Sequence, residues 1–386
     1  MSVIKRRVKI GVVGTGWWAT YAHIPALLAR SEVELVALCD RSLEKVRRAA
    51  EVYRVPRFYT DWRKMFESEA MDGVVVATSH AAHYEVAKAA LENKWHVLLE
   101  KPMVLKTSEA SELVELANRN GLQIVMSTPW NYTSHVRRGR EVILSGELGE
   151  VQLVSSLFAS SAYETYRGNL DAYSGVMEAP LFRPGADENS DPDRGGGQGY
   201  CQVSHSATLA FWVTGLSAQE VSAHMNYFDV KVDVADSVNL RLDNGAVGVL
   251  ASTGNLHPGD PDQHTLSVYC SRGYLILDMG AGTLMIRKHD GTVECPPPLK
   301  AEERYPRFAP ADHFVGLILG ISENLSPGEL GQETVNFLDA VYKSAANGGA
   351  SVSVEPTSHA SGRPGPTNNN HIDESVTGGA WRRKAA

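Results

Sequence analysis

A chain of 386 residues, 43% hydrophobic and 21% charged, is long enough for two domains and has the balance of a soluble globular protein. Its formal charge of −8 argues against a nucleic-acid or anionic-membrane surface. No apolar stretch reaches the length of a membrane span. The run after Lys5-Arg6-Arg7 is too short for a signal peptide, so a cytoplasmic protein is expected. Cys39, Cys201, Cys270 and Cys295 form no C-x-x-C pair, which suggests neither a disulfide framework nor a zinc site.

The first predicted strand, 8–13, runs directly into Gly14-Thr15-Gly16-Trp17-Trp18-Ala19. A strand that ends in G-x-G-x-x-A and opens a helix can place a pyrophosphate on free backbone N–H groups. Alone the motif is weak. A second apolar run, 33–39, gives it context, because it ends at Asp40, 24 residues beyond Gly16. That is where a dinucleotide fold carries the acid that accepts the ribose hydroxyls. Asp40 would repel a 2′-phosphate, so NAD is expected over NADP, although Arg41 softens the repulsion and leaves NADP possible.

Further strands are predicted at 74–78, 96–99 and 123–127, with helices at 43–53 and 83–93 and a helix start capped by Asp61. Strands alternating with helices imply a parallel sheet covered on both sides. After Trp130 a helix is predicted at about 134–145. Strands follow at 150–159, 219–229, 236–242, 246–253, 264–270, 273–278 and 283–287, with Asp243-Asn244-Gly245 as a hairpin turn. Many strands with few intervening helices suggest a large, mostly antiparallel sheet with one open face, and hence a homodimer or homotetramer. The resulting division is a dinucleotide-binding domain at 1–128, a substrate-binding and oligomerisation domain at 129–355, and a polar tail or arm at 356–386. The long segment 160–197 carries Tyr163, Glu164, Tyr166, Asp171, Tyr173, Glu178 and Arg183, and its tyrosines and charges favour a substrate wall.

Glu100-Lys101-Pro102 follows the strand at 96–99. Ligands of open α/β sheets bind beyond the carboxyl ends of the strands. A lysine there can hold a substrate oxygen as negative charge develops on it, or it can be a solvent-facing lysine in a turn.

The glycine fingerprint, the Glu100-Lys101-Pro102 triplet and the segment Gly195-Gly196-Gly197-Gln198-Gly199-Tyr200-Cys201-Gln202-Val203-Ser204-His205 together resemble the Gfo/Idh/MocA oxidoreductases. Thr78, His83, Gly146-Glu147-Leu148-Gly149 and Asp236 agree, and the resemblance covers roughly residues 5–350. It implies a nicotinamide Rossmann domain followed by an α/β domain with an open sheet. It also implies oxidation of a secondary hydroxyl of a sugar, glycoside or cyclitol, or the reverse reduction. Lys101 matches the family's lysine that holds the reacting oxygen, and His205 matches the histidine that serves as general acid/base. Where many members carry an aspartate four residues before that histidine, this chain has Cys201, which cannot supply a carboxylate. Gln198, Gln202 or an acid from 160–197 is left to contribute, or His205 works with Lys101 alone. Where the family usually has Thr-Pro-Asn, Thr78-Ser79-His80 stands, so His80 is either a second titrating group near the nicotinamide ribose or a surface turn residue.

Cofactor contacts are accordingly assigned to Gly14, Thr15, Gly16, Trp17, Trp18, Asp40, Arg41, Thr78, His80, His83, Glu100 and Lys101. Substrate contacts are assigned to Lys101, Asn131, Tyr163, Arg183, Cys201, Gln202 and His205. Lys101 and His205 are the catalytic pair, and no metal is expected. Two other functions stand beside dehydrogenation: redox-assisted glycoside cleavage without net use of NAD, and a non-catalytic dinucleotide-binding sensor.

Overall fold

The computed structural model describes residues 7–176, 181–185 and 189–357. Glu178 and the tail beyond residue 357 lie outside the described residues.

Six parallel strands make the first sheet: β1 Val8–Val13, β2 Val33–Cys39, β3 Phe58–Tyr59, β4 Gly73–Val76, β5 His96–Leu99 and β6 Ile124–Met126, in the order β3-β2-β1-β4-β5-β6. Their continuous apolar runs reflect burial on both faces. β4 is buried at every position, and β1 exposes only Lys9. The order reverses between β1 and β4, which opens a crevice at their carboxyl ends. Asp61 caps the helix Trp62–Ser68 as expected, its side chain accepting from the Arg63 N–H at 3.0 Å.

The second sheet has nine strands: β7 Val151–Ala159, β8 Ala218–Asn226, β9 Ala235–Leu242, β10 Val247–Thr253, β11 Gln263–Cys270, β12 Gly273–Asp278, β13 Thr283–Lys288, β14 Val293–Glu294 and β15 Val352–Ser353. Their order is β14-β13-β12-β11-β7-β10-β9-β8-β15, and only the β7–β10 pair is parallel. Gly245, at φ 85°, turns the hairpin between β9 and β10. One face of this sheet carries the larger hydrophobic core, against the helices Ser134–Leu144, Ser204–Thr214 and Gly328–Ala346. Every residue of Ser204–Thr214 is buried, so this helix is a central rod between the sheet and its neighbours. Phe211 meets Phe337 edge-on at 5.4 Å, and the Thr208 and Thr334 hydroxyls are 2.8 Å apart.

The two sheets interlock. Residues 309–318, which the sequence reading places with the second half, form a helix whose Ala311, Phe314 and Val315 sit in the core of the first sheet. Nearby, the Met126 N–H donates to the Ser326 carbonyl at 2.7 Å. These contacts fasten the stretch 309–326 to the first sheet.

Candidate active site

A single cavity of about 1220 Å³ runs from the glycine turn to the second sheet. At its inner end Gly14 has φ 94°, and a Cβ there would lie 2.2 Å from the Ala77 carbonyl oxygen, so β1 and β4 approach too closely for any other residue. Gly16 lines the cavity and a Cβ on it would meet nothing within 4 Å, so a side chain would fill the space above the helix start that a pyrophosphate needs. Asp40 Oδ2 accepts from the Thr15 N–H at 2.8 Å and its hydroxyl at 3.1 Å, while Oδ1 accepts from the Ser42 N–H at 3.0 Å. The carboxylate is thereby aimed along the cavity, with lone pairs left for ribose hydroxyls. These residues fit a dinucleotide.

Glu100 follows β5 as a largely but not fully buried carboxylate. Burial pushes its pKa up, but the 2.7 Å contact with His23 Nε2 and the neighbouring Lys101 charge outweigh that and hold it below the usual range. The Lys101–Pro102 peptide is cis. Lys101 turns toward the central helix and donates from Nζ to the Cys201 carbonyl at 2.7 Å, which places it in the cavity and not in solvent.

In the same cavity, His205 packs edge-on against Trp130 at 5.1 Å and beside Phe158. Burial, then the Lys101 charge and His264, push its pKa well below 6.5. His205 is therefore a neutral imidazole facing the cavity, and its ring nitrogens have no hydrogen-bond partner among the described residues. A neutral imidazole and an ammonium on one wall can take a proton from a hydroxyl and stabilise the oxygen left behind.

The segment Gly199–Val203, just before the central helix, is π-helical. The cavity leaves the assigned Cys201 out of its lining. Gln202 lines it together with His205, while Cys201 packs in a small cluster with Tyr166, Val232 and Val234. The Cys201 thiol meets Asn189 Oδ1 at 3.6 Å, and burial pushes its pKa up, so it stays protonated. Residue 201 acts on the site through its carbonyl. Gln198 is buried behind the wall, accepting from the Tyr166 hydroxyl and donating to Ser252. Gly197, at φ 101°, has no room for a Cβ beside Asp233, whose carboxylate accepts from the Gly199 N–H at 2.5 Å and from the Tyr342 hydroxyl at 2.8 Å.

Most of the other expected contacts line the cavity: Trp17, Trp18, Arg41, Thr78, His80 and Arg183. His80 is no surface residue. Its Nδ1 donates to the Gly195 carbonyl at 3.0 Å, and burial, with His83 and Lys101 nearby, lowers its pKa to about 3. Four assignments besides Cys201 fall outside the lining. Thr15 is fully buried and orients Asp40. His83 is fully buried between the Pro102 carbonyl at 2.9 Å and the Thr78 carbonyl at 3.2 Å, where it ties β4 to the Glu100–Pro102 turn. Asn131 donates to the Leu325 carbonyl at 3.1 Å. Tyr163 donates to Asp229, with Arg167 4.0 Å above its ring.

The expected substrate wall at 160–197 is corrected in the same way. Tyr163, Tyr166 and Tyr173 are spent on bonds to Asp229, Gln198 and the Ser161 carbonyl, and among the described residues of the segment only Arg183, Pro184, Gly185 and Asn189 reach the cavity. The aromatic wall comes from elsewhere, from Trp18, Trp130, Phe158 and Tyr305, with His264 stacked on Phe158 at 4.3 Å. Sequence reasoning assigned Trp18 to the cofactor and missed Trp130, Phe158, Tyr305 and His264. Trp130 lies just beyond the carboxyl end of β6, where ligands of such sheets collect, and that position was a usable signal.

The family model described as an oxidoreductase family with an NAD-binding Rossmann fold matches residues 8–128, and the GFO/IDH/MocA C-terminal domain matches residues 136–276. The chain belongs to the Gfo/Idh/MocA oxidoreductases. Residues 8–128 form an NAD-binding Rossmann domain. Among its relatives is 1-carboxy-3-chloro-3,4-dihydroxycyclo hexa-1,5-diene dehydrogenase of Comamonas testosteroni, 25% identical over 65% of this chain and 59% of that protein. Another is D-glucoside 3-dehydrogenase of Escherichia coli K12, 28% identical over 39% of this chain and 42% of that protein. The chain thus aligns with about half the length of these two Gfo/Idh/MocA relatives. The crystal structure of GenD2 from gentamicin A biosynthesis, in complex with NAD, superposes with a TM-score of 0.74 at 22% identity, over 92% of this chain and 98% of GenD2. At that identity it shows the shared fold. Among the described residues no helix is long and apolar enough to cross a membrane, and no cluster of ligating side chains could hold a metal.

Proposed function

We propose that this member of the family is an NAD-dependent dehydrogenase acting on a secondary hydroxyl of a sugar, glycoside or cyclitol. The observation that carries the reading is the pairing of Lys101 with a neutral, unpartnered His205 in the cavity that holds the dinucleotide turn. The kinship to a protein named D-glucoside 3-dehydrogenase supports the substrate class. Bound NAD supplies the hydride acceptor. His205 takes the hydroxyl proton at a ring nitrogen, and Lys101 Nζ donates to the same oxygen as charge builds on it. The Cys201 carbonyl holds Nζ in place, leaving two of its three N–H groups for substrate. Trp130 and Phe158 keep water from the imidazole.

A panel of free sugars, glycosides and cyclitols incubated with NAD tests this reading, followed by NADH absorbance. Net NADH with at least one polyol is the expected result. Cleaved glycoside without net NADH would favour redox-assisted cleavage. Bound NAD with no turnover of any polyol would favour a sensor.

The homo-oligomer is part of the same reading. On the open face of the second sheet, Leu153, Leu157, Val247 and Tyr269 are exposed, and the register sets Leu153 between Val247 and Tyr269. An exposed apolar row of this kind suits a face shared by two copies. Sedimentation should give a dimer or tetramer at micromolar concentration, and Leu157→Glu should shift it to monomer with the fold retained by circular dichroism. Monomer in the unsubstituted protein would contradict the assignment.

A further inference from the structure

We propose that the cavity wall built by Trp18, Tyr305, Asp262 and Arg304 is a subsite for a second hydroxylated ring, so that the substrate is a glycosylated sugar or cyclitol and not a free monosaccharide. This rests on the proposed dehydrogenase reading and narrows it. From His205 the aromatic wall continues ring by ring: Trp130 at 5.1 Å, Tyr305 a further 4.9 Å on, and Trp18 a further 6.0 Å. One pyranose covers about one aromatic face. A sugar held at Lys101 and His205 therefore leaves Tyr305 and Trp18 uncovered.

Two charged groups line the same part of the cavity, and neither has an ion-pair partner among the described residues. Asp262, immediately before β11, lines the cavity with no hydrogen-bond or ion-pair partner among the described residues. Asp262 is an exposed residue that opens onto the cavity, and partial desolvation there raises its carboxyl to about 6. Arg304 donates to the Leu299 and Gly280 carbonyls, each at 3.1 Å, and has no carboxylate partner among the described residues. Those two bonds hold the guanidinium plane and leave its remaining N–H groups free. Gly280 lies between the two stretches of backbone: its carbonyl accepts from Arg304, and a Cβ on it would lie 2.8 Å from the Asp262 backbone oxygen.

The charges select the ligand class. An ammonium would suit Asp262 but meet the Arg304 charge, and a carboxylate would suit Arg304 but meet Asp262. Vicinal hydroxyls satisfy both, because each donates to an acceptor and accepts from a donor. An aromatic face between an acceptor and a donor is a fitting platform for a neutral polyhydroxylated ring.

Matched pairs test this: glucose with cellobiose, galactose with lactose, and myo-inositol with galactinol, together with phenyl β-glucopyranoside as an apolar second ring. For the oxidised pair, kcat/KM should favour the two-ring compound by roughly tenfold or more, mostly through KM. Asp262→Asn and Arg304→Gln should each bring that ratio close to one. Calorimetric binding to the NADH-saturated enzyme reads the same preference without turnover. Equal kinetics and equal affinity within every pair would overturn the subsite. So would a preference for phenyl glucoside that Asp262→Asn leaves unchanged. If no polyol is oxidised but calorimetry still favours the two-ring ligands, the proposed reaction fails and the subsite stands.

Discussion

Lys101→Ala is expected to lower kcat/KM for the best substrate by about a hundredfold or more, equivalent to about 2.7 kcal/mol of transition-state stabilisation, with NAD affinity within a few-fold of the unsubstituted protein. The ammonium sits at the end of β5 in the same cavity as His205, with its Nζ held by the Cys201 carbonyl. The dinucleotide turn is built from other residues, Gly14, Gly16 and Asp40. The loss should fall on kcat, since charge on the substrate oxygen is largest in the transition state. Lys101→Arg should restore little, because a guanidinium fork does not match a single acceptor held by one point charge. Near-normal kcat in Lys101→Ala would remove Lys101 from the reaction. Equal losses of NAD binding and turnover would mean that it only shapes the cofactor end.

His205→Asn should lower kcat by about a hundredfold or more and change its pH dependence. Because burial, Lys101 and His264 keep the imidazole neutral, kcat/KM of the unsubstituted protein should stay level as pH falls from 8 through 6.5. The variant lacks that base, so its residual rate should rise with pH as solvent base replaces it. A flat profile in the variant, or an unchanged kcat, would contradict the role. The same shift has a consequence for stability. His264 and His80 are lowered to about 3 by burial, His80 also by His83 and Lys101, and His205 is lowered in the same direction. Below about 6.5 the unfolded chain binds protons that these folded histidines refuse. Stability from this source is full above about 6.5 and is lost progressively as pH falls toward 3. Urea unfolding at pH 8, 6 and 5 should show this decline, with a shallower slope in His205→Asn.

The first sheet was legible in the chain because each of its main strands is buried on both faces and so appears as an unbroken apolar run between helices. The glycine turn was equally legible. At Gly14 the approach of two backbones forbids a side chain, and a steric demand of that kind is written into residue type. Asp40, Lys101 and His205 lie at the ends of elements whose positions alternation and periodicity reveal. All three line the cavity.

Residues set by packing between elements were not legible. Cys201 packs in a small cluster with Tyr166, Val232 and Val234, and contact with those distant stretches decides what its side chain faces. Tyr163, Tyr166 and Tyr173 had the composition of a sugar wall, yet their hydroxyls found partners in neighbouring loops. Trp18, Trp130, Phe158 and Tyr305 come from four separate stretches of chain and meet only when the second sheet closes over the first. The helix at 309–318 follows the last long strand of the second sheet in sequence but buries Phe314 in the first. Local sequence determined the strands and the cofactor turn, since local sterics and periodicity specify both, whereas Lys101 and His205 were singled out by resemblance to the family's motifs. The substrate-facing wall was decided by tertiary structure, because what a side chain faces depends on which distant surface reaches it first.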